Sequence, residues 1–244
     1  VSKVKVPLTT SPRFQKEAAE IALQMSQFSV DELERLLRVN AKIAVENYKR
    51  YQAFHAETTP ELPALLAYTG IVFKRLNPKD FSAEDFGYAQ EHLRLTSFCY
   101  GLLRPLDVIR AYRLEGDVVL PELGNQTLFS YWRSRLTDTF IEDIRSAGGI
   151  LCNLASDEMK SLFDWKRVEK EVRVITPEFQ VWKNGKLASI VIYIKMSRGE
   201  MTRFILKNRI ENPEDLKSFS WEGFEFNESL SNEKKFVFTN GKEI

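Results

Sequence analysis

The stretch EVRVITPEFQVWKNGKLASIVIYIK, residues 171–195, decides the fold. Apolar and polar residues alternate on both sides of Asn184-Gly185. Asn-Gly between alternating runs is the strongest short hairpin signal, because both residues accept the positive φ of a tight turn. Two strands are therefore expected around 184–185. A further buried strand is expected in ILCNLAS, 150–156, and a last hairpin in GFEFNESLSNEKKFVFTN, 223–240.

Upstream the period changes from two to 3.6. Phe14, Ala18, Ile21, Ala22 and Met25 recur at helical spacing within 11–27. Ser29 and Glu32 form a capping box that opens a second helix, with Leu33, Leu36 and Leu37 on its apolar side. A break at Val39-Asn40 precedes a third helix over 41–54, and 56–63 is a loop. Residues 64–73 suit a strand or a short helix near Gly70. Ser82 and Asp85 open a helix expected to run to Gly101. Residues 104–126 are irregular, and 127–149 is a long amphipathic helix ending in glycines. A turn and short helix over 156–165, a helix over 197–210 and a short one over 212–219 capped by Asn212 complete the pattern. Helices and strands interleave without a composition shift, which predicts one mixed α/β domain over 1–244, a mixed β-sheet with surrounding helices.

Composition excludes several classes. The chain has 244 residues, 43% hydrophobic and 28% charged, with net charge +1, so global basicity does not announce a nucleic-acid binder. Neither a membrane-length apolar run nor a signal peptide is read, and a cytoplasmic protein is expected. Cys99 and Cys152 sit in apolar runs and read as buried thiols. His55 and His92 lie far apart without ligand spacing, so neither metal nor cofactor is expected. Walker, dinucleotide-binding and nucleophile-elbow signatures are absent.

Four clusters carry possible chemistry. NLASDE follows a buried strand, where open α/β sheets place ligands; Asn153, Ser156, Asp157 and Glu158 are candidate catalytic groups there, or simply a helix start. In YIKMSRGEMTRF, Ser197 and Glu200 suggest a helix beginning near Arg198. Lys195, Arg198 and Arg203 would gather at its N-terminus around an anion, and Gly199 would let the ligand approach. The stretch 97–116 holds Tyr100, Arg104, Asp107, Arg110, Tyr112, Arg113 and Glu115, either an anion-binding wall or an internal salt-bridge knot. Around 30–50 two helices meet at Val39-Asn40, like a helix-hairpin-helix whose amides hold a DNA phosphate. Asn40 suits a left-handed conformation and Arg38 does not; Arg35, Arg38, Lys42, Lys49 and Arg50 supply charge.

FSAEDFGYAQEHLRLTSFCYGLLRPLDVIRAYRLE, NLASDE and SRGEMTRFIL, in this order, resemble the YaaA family of peroxide-stress proteins from Pro7 to Phe238. The resemblance implies a fold peculiar to that family. It also implies a cytoplasmic bacterial protein that limits free iron, and a DNA binder with a helix-hairpin-helix-like element and a positive cleft. It implies no settled reaction. Two departures stand out. The family's opening strand, reading like L-I-S-P-A-K-T and expected to complete the sheet, does not appear in the numbered chain. Lys195-Met196-Ser197-Arg198-Gly199 lacks a further basic residue common before the Arg-Gly.

The expected partner is thus a duplex or distorted DNA backbone. Arg38, Asn40, Lys42, Lys49, Tyr100, Arg104, Arg110, Arg113, Lys195, Ser197, Arg198, Gly199 and Arg203 are the anion-binding candidates. The alternative is an enzyme acting on a phosphorylated or nucleotide-like small molecule, with Asp157 or Glu158 as general base. Three basic clusters on one cleft, and a monomer, are expected.

Overall fold

The structure is a computed structural model describing residues 4–243. Helices α1 (Gln15–Met25), α2 (Val30–Leu37) and α3 (Ala41–Ala53) open the chain. Strand β1 (Leu62–Pro63) and the short helices α4 (Ala64–Ala67) and α5 (Ile71–Leu76) follow. Next come α6 (Ala83–His92) and strands β2 (Leu95–Ser97) and β3 (Gly101–Leu103). The brief strands β4 (Val108–Ile109), β5 (Val119–Leu120) and β6 (Gln126–Thr127) precede α7 (Leu128–Ser146) and β7 (Ile150–Cys152). Helix α8 (Trp165–Glu171), strands β8 (Arg173–Lys183) and β9 (Lys186–Ala188) and helix α9 (Val191–Asn208) come next. Strands β10 (Phe224–Phe226) and β11 (Lys235–Glu243) close the chain.

These elements give the expected mixed α/β class and group into two compact units. One takes the residues to Ala67, Leu93–Phe140 and Asp157–Trp165; the other takes Tyr68–His92, Ile141–Ser156 and the chain from Lys166 onward. Each is assembled from discontinuous stretches, so a composition shift along the sequence does not reveal them.

In the first unit α1, α2 and α3 bury Ile21, Met25, Leu33, Leu37 and Tyr51 completely or nearly so, beside Leu65, Leu103 and Trp132. The Ser29–Glu32 box is present in full, Glu32 accepting from the Ser29 amide at 2.7 Å. The Ser82–Asp85 box that opens α6, in the other unit, is present too, with reciprocal bonds of 2.9 and 3.1 Å. The helix it opens stops at His92, however, not at Gly101. Leu95–Ser97 and Gly101–Leu103 beyond it instead form an antiparallel pair, Leu95 opposite Leu103 and Ser97 opposite Gly101. Gly101 has φ +69, and a Cβ there would lie 2.8 Å from the Trp132 ring, so the turn needs glycine on both counts.

The second unit holds a mixed sheet ordered β10-β11-β8-β7, with β9 also on β8. Strands β7 and β11 run parallel to β8, and β9 and β10 turn back antiparallel. Asn184 (φ 52) and Gly185 (φ 71) make the expected turn between β8 and β9. The second arm is shorter than the alternation suggested. It stops at Ala188, and Val191 to Lys195 begin α9 instead of extending a strand. Ile194, Met201, Phe204 and Ile205 recur at helical spacing and pack on the core of Ile175, Phe179, Val181 and Phe238, so the apolar run belongs to a helical stripe.

On one side β8 is paired with β11 along 176–182. On the other, β7 covers 173–175 and β9 covers 181–183. Over 176–180 no strand among the described residues flanks that second side. Pro177, which has no N–H, shares the parity of Arg173 and Ile175, whose backbone groups face β7.

Candidate functional site

The α2–α3 corner, in the first unit, is built as a tight hairpin. Its roles are the reverse of those the sequence suggested. Arg38 is the left-handed residue, φ 52, capping the C-terminus of α2 through its amide to Glu34 and Arg35 carbonyls. Asn40 is extended and caps α3, its side chain accepting from the Ile43 amide at 3.0 Å. A left-handed arginine costs some backbone energy, and here the side chain gains a partner. Arg38 Nη2 donates to both carboxylate oxygens of Asp117, at 2.7 and 2.8 Å. This charge pair raises the arginine pKa further.

Beyond Asn40 the first-turn amides of α3 have no intrahelical acceptors, as at any helix start. Lys42 and Lys49 stand exposed on one side of α3, seven residues apart, and make no ion pair among the described residues. Arg50 is bound to Glu46, one turn back.

The 97–116 segment, in the same unit, forms a salt-bridge knot. Asp107 is almost fully buried and accepts from Thr10 at 2.6 Å, from the Arg104 amide at 2.8 Å and from Arg104 Nη2 at 2.9 Å. Arg113 pairs with Glu115 at 3.1 Å. Burial pushes the Glu115 carboxyl up, and Arg113 opposes the shift. Arg110 pairs with Glu61 at 3.0 Å, reaches the Phe54 carbonyl and lies over the Phe54 ring. Glu61 has no sequence signal that links it to Arg110. Tyr100 was expected on an exposed wall, but it is 3% exposed. Its hydroxyl accepts from the Arg110 amide at 3.0 Å, because the β2–β3 hairpin turns the ring inward.

The NLASDE run is divided. Asn153 and Ser156 belong to the second unit, Asp157 and Glu158 to the first. Asp157 is exposed and pairs with Lys160 at 2.7 Å. Asn153 follows the last residue of β7, its amide donating to the Ile175 carbonyl at 2.8 Å. Its Oδ1 accepts from the Ala155 amide at 3.3 Å. The residue is 6% exposed and its Nδ2 is buried without an acceptor.

The α9 candidates, also in the second unit, do not sit at a helix start. Because α9 begins at Val191, Ser197, Arg198 and Gly199 are mid-helix, and the helix-end dipole no longer acts on them. Ser197 is fully buried. Gly199 admits another helix, not a ligand. A Cβ there would lie 2.3 Å from the Val72 carbonyl oxygen and 2.7 Å from Arg75 Cβ on α5. Arg203 donates to Asp80 at 2.6 and 2.8 Å and to the Leu76 and Asn77 carbonyls. Lys207 and Arg209 hold the nearly buried Asp85 at 2.7 and 2.9 Å. Burial would raise that carboxyl, but these two cations and the Ser82 amide hold it well below the ordinary range. Lys195 is exposed and forms no ion pair among the described residues.

Burial pushes the Cys152 thiol up to about 12 and the Cys99 thiol higher still. Among the described residues no three His, Cys, Asp or Glu side chains gather as a metal would require. His92 lies over the Tyr88 ring, with Nδ1 2.9 Å from its carbonyl oxygen. No helix among the described residues is long and apolar enough to cross a membrane.

Comparison with known proteins places the chain. A family model described as peroxide stress protein YaaA matches residues 2–230. A UPF0246 protein of Bacteroides thetaiotaomicron is 93% identical over 241 residues, 99% of this chain and 94% of that relative. Similar UPF0246 proteins occur in Phocaeicola vulgatus, 64% identical over 238 residues (98% and 93% of the two chains). One in Clostridium beijerinckii is 39% identical over 232 residues (94% and 89%).

Proposed function

Since the chain belongs to the family described as peroxide stress protein YaaA, we propose that it serves the peroxide-stress response by holding the DNA backbone without reading bases, and so helps to limit iron-dependent damage. The observation that carries this reading is the α2–α3 corner. A tight turn, an Asn40 cap and a helix start offer backbone donors, with Lys42 and Lys49 exposed and without ion-pair partners among the described residues. The contact surface is smaller than the sequence suggested, because Arg38, Arg104, Arg110, Arg113 and Arg203 are engaged by carboxylates within the chain.

Fluorescence anisotropy with a labelled duplex over about 50–200 mM salt tests it. Binding should weaken linearly in log–log form. K42A/K49A should bind more weakly, with a slope shallower by about 0.9 per lost phosphate contact. A duplex that the wild type does not bind at low salt, or binds without salt dependence, would refute the reading.

A second reading has its own support. Asn153 Nδ2 is buried without an acceptor at the carboxyl end of a parallel strand, where α/β sheets receive ligands. That suits a phosphorylated or nucleotide-like small molecule offering an oxygen. Loss of a metabolite-induced stability gain in N153A would support it; equal gains in both proteins would not.

A further inference from the structure

Arg38 is the charged side chain on the turn of the α2–α3 corner, and Asp117, remote in sequence, occupies it. The carboxylate presents two oxygens to Nη2 at 2.7 and 2.8 Å, much as a phosphate would present its own. Both side chains are substantially exposed, 65% for Arg38 and 48% for Asp117, so solvent and a polyanion reach the pair. Glu115 and Glu158 lie close enough to add their negative field at Arg38. The guanidinium therefore meets a carboxylate where the corner offers donors to an anion.

From this arrangement we infer that Asp117 is an internal phosphate mimic that competes with the nucleic-acid backbone for Arg38, holding the α2–α3 corner in a self-occupied state. The inference rests on the DNA reading of that corner and adds its regulation. Binding proceeds by exchange. The Arg38–Asp117 pair breaks, Arg38 turns onto a phosphate, and Asp117 is released to water. Exposed pairs are weak, so the latch is weak too and lets go when several phosphates bind together. It does bias the corner against isolated anions, which cannot recover the cost through neighbouring lysines.

The test measures duplex affinity and its salt slope for wild type, D117N, R38A and R38A/D117N. Asparagine keeps the shape and removes the charge. D117N should bind about two- to five-fold tighter, the range set by exposed ion pairs. Its salt slope should steepen by about 0.9, one added phosphate contact. In the R38A background D117N should change neither quantity. Unchanged affinity in D117N overturns the latch. An equal gain in the R38A background overturns it as well, since that gain reflects only removal of a negative charge. Parallel measurements on inorganic polyphosphate separate the two claims. If that anion shows the Arg38-dependent gain while duplex binds to none of the proteins, the latch stands and the DNA reading falls. If neither anion shows it, the latch falls.

Discussion

Replacing Gly199 by alanine gives opposite signs under two accounts of that residue. If the glycine kept a helix start open for a ligand, alanine would restore helix propensity and stabilise the chain by about 1 kcal/mol. The structure argues the reverse. A Cβ at 199 would stand 2.3 Å from the Val72 carbonyl oxygen, about 0.9 Å inside an ordinary closest approach of about 3.2 Å. The obstacle is backbone, so relief means moving α5 off α9. Arg75 would have to move with it, and with it the contacts to Trp221 (5.3 Å) and Glu200 (3.6 Å). Overpacking of this kind costs about 1–3 kcal/mol, against the propensity gain of about 1 kcal/mol. The net expectation is a loss of up to about 2 kcal/mol, up to about 8 °C in Tm for a chain of this size. Gly87 is the internal control. It also lies in a helix, but its Cβ would meet nothing within 4 Å, so G87A should hold or raise Tm. Thermal unfolding by circular dichroism reads both variants. A G199A protein as stable as G87A would refute the close α5–α9 crossing.

Asp85 carries a pH-dependent share of stability. Its folded-state pKa is depressed, so the contribution is present above the ordinary carboxylate pKa and is lost as pH falls below about 4. D85N should cost about 2–3 kcal/mol near neutrality, less than a wholly buried pair, because Lys207 and Arg209 keep contact with water. Its acid-denaturation profile should also be flatter than that of the wild type. Asp107 should be the least replaceable residue of the 97–116 segment. D107A removes at once the acceptor shared by Thr10, the Arg104 amide and the Arg104 guanidinium, and a loss of about 3 kcal/mol or more is expected in urea unfolding. Cys99 should not react with a thiol reagent at pH 8 until denaturant is added, since it is fully buried and burial holds it protonated.

Local rules made much of the fold legible. The Ser29 and Ser82 boxes, the Asn184-Gly185 turn, the Asn212 cap and the closing hairpin each follow from a few adjacent residues, and the structure has all of them. Two errors share one cause. Alternation and helical period overlap in short apolar runs, so 93–101 read as helix where it forms a hairpin, and 190–195 read as strand where it starts α9. That second error displaced the supposed anion site at Arg198. Charge pairing was half legible. Arg104 with Asp107 and Arg113 with Glu115 are close in sequence. Arg38 with Asp117 and Arg110 with Glu61 are joined only by the fold. Such pairs decide which cations are left for a ligand, and for that reason the sequence overstated the basic surface.

Pro177 bears on whether another strand can pair with the open side of β8. A stretch of β8 without a flanking strand is a template on which another chain can grow a sheet, and long apolar strands are prone to this. Here the risk is blunted by local chemistry. Pro177 withholds a donor on the uncovered side, while Glu178, facing the other way along the pleat, pairs with Lys235 of β11 at 3.4 Å. Strands β7 and β9 stand at either end of the uncovered stretch, so an incoming strand finds room for only a few residues. Resistance to a further pairing strand is thus written into the central strand itself, at a residue whose first effect is to interrupt its ladder.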